Sequence, residues 1–287
     1  MAISISLNLL TLVQAYPESS KIDSGCCAPS SALLAKDFSA FYFASWNLIH
    51  DPARIYSLGA ASNATFLGIS PHPESFKYLP SFLLLVTFLL AFPYHTALET
   101  FDILQFFLLF LIAFFLYELI GKKNVILVSG ISITVLFLPF STNLSWGISE
   151  AYFWQWAEGQ SKVLELALIL ASLYFASKGK PKVSGFIFGL SFFDPRFALI
   201  SIPLFLALNK GKVLKGTCVA LLTLTASNVP VLLLPGVSSS FVSMVLTRGL
   251  TTPIYYYSYI PLLGILLLSI VKWKEIASLF SKKAILA

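Results

Sequence analysis

Residues 103–120 read ILQFFLLFLIAFFLYELI, eighteen residues with a single charge, Glu118, close to the end. A helix of that length rises about 27 Å, near the roughly 30 Å hydrocarbon core of a bilayer. Lipid leaves no backbone polar group unpaired, so a run of this kind is helical. Comparable runs lie at 79–97, 124–140, 163–177, 183–193, 197–208, 216–235 and 253–271, and a shorter one extends from Ile3 to Val13. With no basic stretch ahead of it, that first run reads as a short span rather than a cleaved signal peptide.

Composition points the same way. Of 287 residues, 57% are hydrophobic and 11% charged, and the mean hydropathy is +0.83. Soluble domains carry about 25% charged residues, so a soluble domain, a disordered chain and a nucleic-acid binder are excluded. The net charge of +6 sits in loops between apolar runs and is no nucleic-acid signal. Three cysteines without metal-ligand spacing, and no His/Cys/Asp cluster, predict neither a disulfide scaffold nor a metal site.

Twelve of the sixteen lysines form four clusters: 122–123; 178, 180 and 182; 210, 212 and 215; and 272, 274, 282 and 283. The positive-inside rule places these clusters in the cytoplasm. The expectation is then an all-α, polytopic transmembrane helical bundle, a single integral membrane domain over 1–287. It divides into a short first span at 1–16, an extracytoplasmic loop at 17–77, a bundle at 78–271 and a cytoplasmic tail at 272–287. The loops 141–161 and 236–252 fall outside. Only 27 residues separate Lys182 from Lys210, too few for two crossings. Two half-helices meeting at Asp194-Pro195-Arg196 are predicted, a broken helix pair over 183–208. An ionisable pair at such a break is either a functional site or a structural ion pair at a kink. The run 79–97 conflicts with this topology: two plain crossings would leave Lys122 and Lys123 outside. Pro93 and Tyr94-His95-Thr96 favour an incomplete crossing.

The loop 17–77 is long for a connection, and such loops are commonly functional. Aromatic residues at 38, 41, 42, 43 and 46 predict an interfacial helix lying on the membrane. Asp37 stands at its N-terminus, where a carboxylate caps the helix and meets its positive end. Two glycosylation sequons begin at Asn63 and Asn143, both in loops placed outside.

The order of motifs along the chain is informative. Asp37-Phe38 is followed by Tyr42, then Arg54-Ile55-Tyr56, then Phe76-Lys77-Tyr78-Leu79-Pro80 opening an apolar run. Gly159-Gln160, the turn Lys178-Gly179-Lys180-Pro181-Lys182, Gly185-Phe186-Ile187-Phe188-Gly189 and Pro195-Arg196 come after. This series resembles the GT-C membrane glycosyltransferases, in particular glycosyltransferase family 87, the polyprenyl-phosphate-mannose-dependent mannosyltransferase type. Tyr-Leu-Pro stands for the family's Tyr-Pro-Pro, and Asp-Pro-Arg where a Lys more often precedes Pro.

The resemblance implies a GT-C-like fold and transfer of a sugar, foremost mannose, from a polyprenyl-phosphate donor to a lipid or glycan acceptor. It implies an inverting hexosyltransferase with an active site on the outer face of the plasma membrane. It also puts the general base at Asp37. A phosphate leaving group needs no general acid, so one carboxylate suffices. Fixed donors must hold the leaving phosphate. Arginine suits that task, and none of the three arginines lies in a lysine cluster. Arg54, Arg196 and Arg248 are therefore the candidates, with Lys77 and His72 behind them; surface snorkelling accounts for Arg54 and Arg248 equally well. Tyr56, Tyr78, Trp154, Trp156 and Tyr255-Tyr256-Tyr257 are stacking candidates, or an interfacial belt. Glu158, beside Gln160, is the second choice of base or an acceptor contact, and Glu150 lies in the same loop. No cofactor is expected besides the lipid-linked donor substrate, and the partners are membrane lipids, that donor and a glycan or glycolipid acceptor. Two other readings stay open: a non-catalytic or degenerate GT-C-like membrane protein, and a small transporter or flippase component, which would require an internal repeat and a polar path across the membrane.

Overall fold

The computed structural model describes residues 36–56, 76–120, 159 and 161–251, apart from the side chains of residues 36, 120, 196, 197, 200 and 247–251. Their regular elements are all helices, with no strand among them. Eight α-helices follow in order: α1 Lys36–His50, α2 Ser81–Val86, α3 Tyr94–Ile120, α4 Lys162–Ser177, α5 Pro181–Ser191, α6 Pro195–Leu208, α7 Val213–Leu232 and α8 Val237–Thr251. Short 3-10 turns cover Pro52–Arg54 and Thr87–Ala91. Among the described residues two helices are long and apolar enough to cross a membrane, over Tyr94–Leu119 and Val213–Leu232. The expected first span, the runs 124–140 and 253–271, the tail 272–287, Lys122, Lys123 and both sequons lie outside the described residues.

The apolar run 79–97 is not one helix. Six residues of α-helix pass into a five-residue 3-10 turn, and the chain becomes extended at Phe92 before α3 starts behind Pro93. Together the two pieces rise about 19 Å, short of a bilayer core. Proline lacks the N–H that would continue the helix, yet it suits the residue just before a new one.

The chain forms two compact units. The first unit takes in the described parts of Met1–Lys77, Leu83–Leu164 and Leu232–Met244. Its centre is α1. From Asp37 to Ser45 every residue of this helix is buried, so its aromatic side chains are enclosed by protein around the whole helix rather than along one face. The Phe38 ring lies 5.6 Å from Tyr94 and 5.3 Å from Phe101, and Tyr42 meets Tyr94 edge-on at 5.4 Å. The Tyr42 hydroxyl donates to the Phe92 carbonyl at 2.8 Å, satisfying backbone at the break before α3. Along α3 the buried positions Leu98, Phe101, Asp102, Gln105, Leu109, Ile112, Ala113 and Leu116 recur at helical spacing and make one stripe.

The second unit takes in the described parts of Tyr78–Phe82, Glu165–Val231 and Val245–Ala287. Here α5 and α6 form a hairpin around a turn at Phe192-Phe193-Asp194. Their 11 and 14 residues rise about 16 and 21 Å, each less than a bilayer core. The rings of Phe188 and Phe205 stack at 4.1 Å across the hairpin. A buried polar cluster ties it to α4: Ser172 Oγ donates to the Ser184 carbonyl at 3.0 Å, and Asn209 Nδ2 reaches Ser184 Oγ at 3.4 Å.

Small residues bring α5 against α7. Gly185 and Gly189 on α5 face Gly216, Ala220 and Thr223 on α7, and a Cβ on Gly189 would come within 2.5 Å of the Ala220 carbonyl and 2.7 Å of Thr223 Cβ. Helices in lipid gain association energy by such close approach, because hydrophobicity alone does not drive them together. Gly189→Leu is expected to cost roughly 1–3 kcal/mol or more by overpacking. Phe186→Leu, on an exposed position of the same helix, should change little. Thermal denaturation of the purified variants in detergent compares the two.

Candidate active site

Asp37 is the second residue of α1, in the first turn of the helix. Its Oδ1 lies 3.4 Å from Lys77 Nζ, with the carboxylate side chain 9% exposed and the lysine 23% exposed. A carboxylate and a single cation, both largely withdrawn from water, are thus held together across forty positions of sequence. Around them the structure is built from backbone constraints. Gly159 has a φ of +64°, and a Cβ there would stand 2.5 Å from Phe38 Cβ. Gly159 is therefore brought against the residue that follows Asp37. Only glycine combines the left-handed conformation with so close an approach.

The loop behind α1 closes through Asn47, whose Nδ2 donates to the Arg54 carbonyl at 3.3 Å. Asn47 Oδ1 is buried with no hydrogen-bond partner among the described residues. Arg54 Nε pairs with Asp51 Oδ2 at 2.9 Å, both side chains substantially exposed, a surface pair of small energetic weight. Gly236, also left-handed, lets the chain turn directly against Ala53. The Tyr56 ring is held between Phe76 at 5.5 Å and Phe241 of α8 at 5.1 Å. It is buried, so its ring forms part of the wall. In the same unit an apolar cavity of about 840 Å³ lies along α3, lined by Phe88, Phe101, Leu104, Gln105, Leu108 and Leu164 among others.

In the second unit the Tyr-x-Pro motif and the Asp-Pro-Arg motif meet. The Leu79 N–H donates to the Phe193 carbonyl at 2.9 Å, and the Tyr78 ring packs on Phe82 at 5.1 Å and Phe193 at 5.9 Å. Asn228 of α7 accepts from the Ser81 N–H at 2.8 Å and donates to the Leu224 carbonyl at 2.8 Å. Asp194 is buried at the start of α6. Arg196 is the second residue of α6 and Arg248 belongs to α8; their side chains lie outside the described residues. So do Glu158, Gln160, His72, Glu150, Trp154, Trp156 and Tyr255–Tyr257. Among the described residues no group of three or more His, Cys, Asp or Glu gathers as a metal-holding cluster.

Sequence reasoning did not single out Asn228 or Asn47. The signal for Asn228 was present, a Thr-Ala-Ser-Asn run inside the apolar segment 216–235, since a polar side chain at membrane depth is retained only with a partner. Asn47 gave no such signal, because polar residues near a helix end are ordinary.

Among the described residues the structure is helical without strands, with two apolar helices of span length and an ion pair at the first turn of a buried helix. The sequence model of glycosyltransferase family 87 matches residues 76–275, and the chain belongs to that family. It is accordingly a membrane glycosyltransferase. Neither a curated protein nor a solved structure matches the chain. The match starts one residue before Lys77; α1 with Asp37, Arg54 and Tyr56 precedes it.

Two outcomes test this construction. Gly159→Ala is expected to destabilise the protein by roughly 2–4 kcal/mol, from the left-handed backbone and the contact with Phe38 together, read as a fall in melting temperature. The second concerns pH. Burial raises the Tyr56 phenol well above its ordinary value of 10.0, and raises Tyr42 as well. Below pH 10 both folded and unfolded chains keep these protons. Above it the unfolded chain loses protons that the folded chain retains, so stability falls as pH rises. Melting temperatures measured from about pH 8 to about pH 11 should fall less steeply for Tyr56→Phe than for the wild type.

Proposed function

We propose that this glycosyltransferase moves a sugar, foremost mannose, from a polyprenyl-phosphate donor to a lipid or glycan acceptor at the outer face of the plasma membrane. The observation that carries the reading is the largely buried Asp37–Lys77 pair. Asp37 acts as general base on the acceptor hydroxyl, and in-line attack inverts the anomeric centre. The proton passes from the hydroxyl to the carboxylate as the new glycosidic bond forms, and the lipid phosphate leaves with the electron pair of the broken bond. Lys77 offers the compact positive charge that the leaving phosphate needs, with Arg54, Arg196 and Arg248 as the further cations. Glu158 and Gln160, chain neighbours of the glycine that abuts Phe38, are assigned to the acceptor. Tyr56 and Tyr78, each set in an aromatic cluster of its own unit, are assigned to substrate binding. The apolar cavity along α3 supports a donor with an isoprenoid tail. The chemistry asks for no metal, since the donor is a monophosphate.

Transfer from radiolabelled polyprenyl-phosphate-mannose to lipid acceptors, in membranes carrying the chain, tests the proposal. Asp37→Asn should lower kcat by about 10²–10⁴-fold at equal expression. Lys77→Gln should lower kcat/KM for the donor by about 10²-fold. Equal activity of Asp37→Asn and the wild type would remove Asp37 from the mechanism and turn attention to Glu158 and Glu150.

A further inference from the structure

Asp102 is a buried carboxylate that the transfer reaction described above does not use. It belongs to α3 and is 7% exposed, and its Oδ1 is buried with no hydrogen-bond partner among the described residues. Ser161, the residue before α4, is 0% exposed, and its Oγ is likewise without a partner among them. Burying such atoms costs free energy unless a hydrogen bond satisfies them. For that reason an ionisable residue on a helix of span length points to a functional site.

The two residues stand on neighbouring segments of the first unit. Leu98 Cδ1 lies 3.5 Å from the Cβ position of Gly159. Gln105 and Leu164 line the same cavity. Residues 98–105 therefore run alongside residues 159–164, and Asp102 and Ser161 stand between these two points of contact. Glu165, further along α4, belongs to the second unit.

Through their chain neighbours both residues adjoin the residue that follows Asp37. The Phe38 ring packs at 5.3 Å on Phe101, next to Asp102. Gly159, two positions before Ser161, abuts Phe38. The same stretch of α3 also borders the apolar cavity of about 840 Å³, since Phe101 and Gln105 are in its lining. Asp102 and Ser161 are thus next to both the proposed general base and the cavity assigned to the donor tail.

The chemistry of the two side chains narrows the ligand. An ionised carboxylate only accepts, through two oxygens, and so matches two adjacent hydroxyl donors; a serine hydroxyl can accept or donate. An isoprenoid tail offers no donor. A phosphate is an anion and is repelled by a carboxylate. A hard metal ion takes about six or more oxygen ligands, and among the described residues no acidic cluster gathers to supply them. A sugar ring carries hydroxyls on adjacent carbons and offers a partner to both residues.

We propose that Asp102 and Ser161 bind the hydroxyl groups of the sugar carried by the lipid-linked donor, with Asp102 accepting from two adjacent hydroxyls. The site presupposes the polyprenyl-phosphate donor proposed above, and it reads the sugar rather than the lipid.

The test is retention of two lipids of equal charge by the purified full chain in detergent, counted by native mass spectrometry. One is polyprenyl-phosphate-mannose; the other is the methyl phosphodiester of the same polyprenol, which lacks the sugar. The wild type is expected to prefer the mannosyl lipid by at least about tenfold. Asp102→Ala should bring the two to near parity, and Ser161→Ala should lower the preference. Asp102→Asn, which keeps the shape and one acceptor oxygen, should keep part of it. The ligand-free Asp102→Asn and Ser161→Ala chains should melt no lower than the wild type, because neither change breaks a hydrogen bond within the protein. Equal retention of the two lipids by the wild type overturns the sugar site and leaves the transferase standing; retention of neither lipid overturns the donor proposal with it. An undiminished preference in Asp102→Ala also overturns the site. So does a lower melting temperature of Asp102→Asn at unchanged preference, which marks Asp102 as structural.

Discussion

Four consecutive residues at the opening of α2 set the terms for the second unit, because their backbone N–H groups precede any helical partner. Each is accounted for. Leu79 donates to the Phe193 carbonyl, Pro80 has no N–H, Ser81 donates to Asn228 Oδ1, and Phe82 donates to the Leu79 carbonyl. A donor left unsatisfied in an apolar environment costs several kcal/mol, so the segment is fixed by its bonds to the α5–α6 turn and to α7. Lys77, the partner of Asp37, precedes this fixed segment in the sequence with Tyr78 between them. Pro80 removes one donor and Asn228 satisfies the next, reaching Ser81 across 147 positions of sequence.

The first unit rests on a different device. There the organising contact is steric, between a left-handed glycine and the residue after Asp37, and aromatic rings fill the space around α1. That arrangement holds a carboxylate away from water while leaving it within reach of one ammonium. The two devices suit their surroundings. Backbone bonding is decisive where helices open beside apolar runs. Ring packing is decisive where α1 meets Tyr94 and Phe101 of α3.

The all-helical architecture was legible in the sequence because apolar length is a direct reading of bilayer thickness. The run 103–120 lies in α3 and most of 216–235 in α7, the two helices among the described residues that are long and apolar enough to cross a membrane. The run 79–97 was less legible. Hydropathy averages over Pro93, whereas the backbone stops at Phe92 and begins again at Tyr94. The aromatic run 38–46 was legible as a helix but not in its surroundings, because the same rings serve a membrane surface or a protein interior equally well. The family was legible from motif order, while the Asp37–Lys77 distance was not: no spacing rule connects residues forty apart across a loop. Asn228 shows the same limit, since a polar residue in an apolar helix announces that it has a partner and not which one.

The α5–α6 hairpin bears on how the chain is made. Neither helix offers the roughly 20 apolar residues that the insertion machinery reads as a span, and lysines stand at both feet. Neither helix is held in lipid by its own hydrophobicity. Their placement has to wait for α7, whose Gly216 and Ala220 receive Gly185 and Gly189. The order of synthesis puts α7 after the hairpin, so the contact of Gly185 and Gly189 with α7 forms only once α7 has left the ribosome. Until then, two short helices and a buried aspartate depend on whatever else the nascent chain or its chaperones can offer.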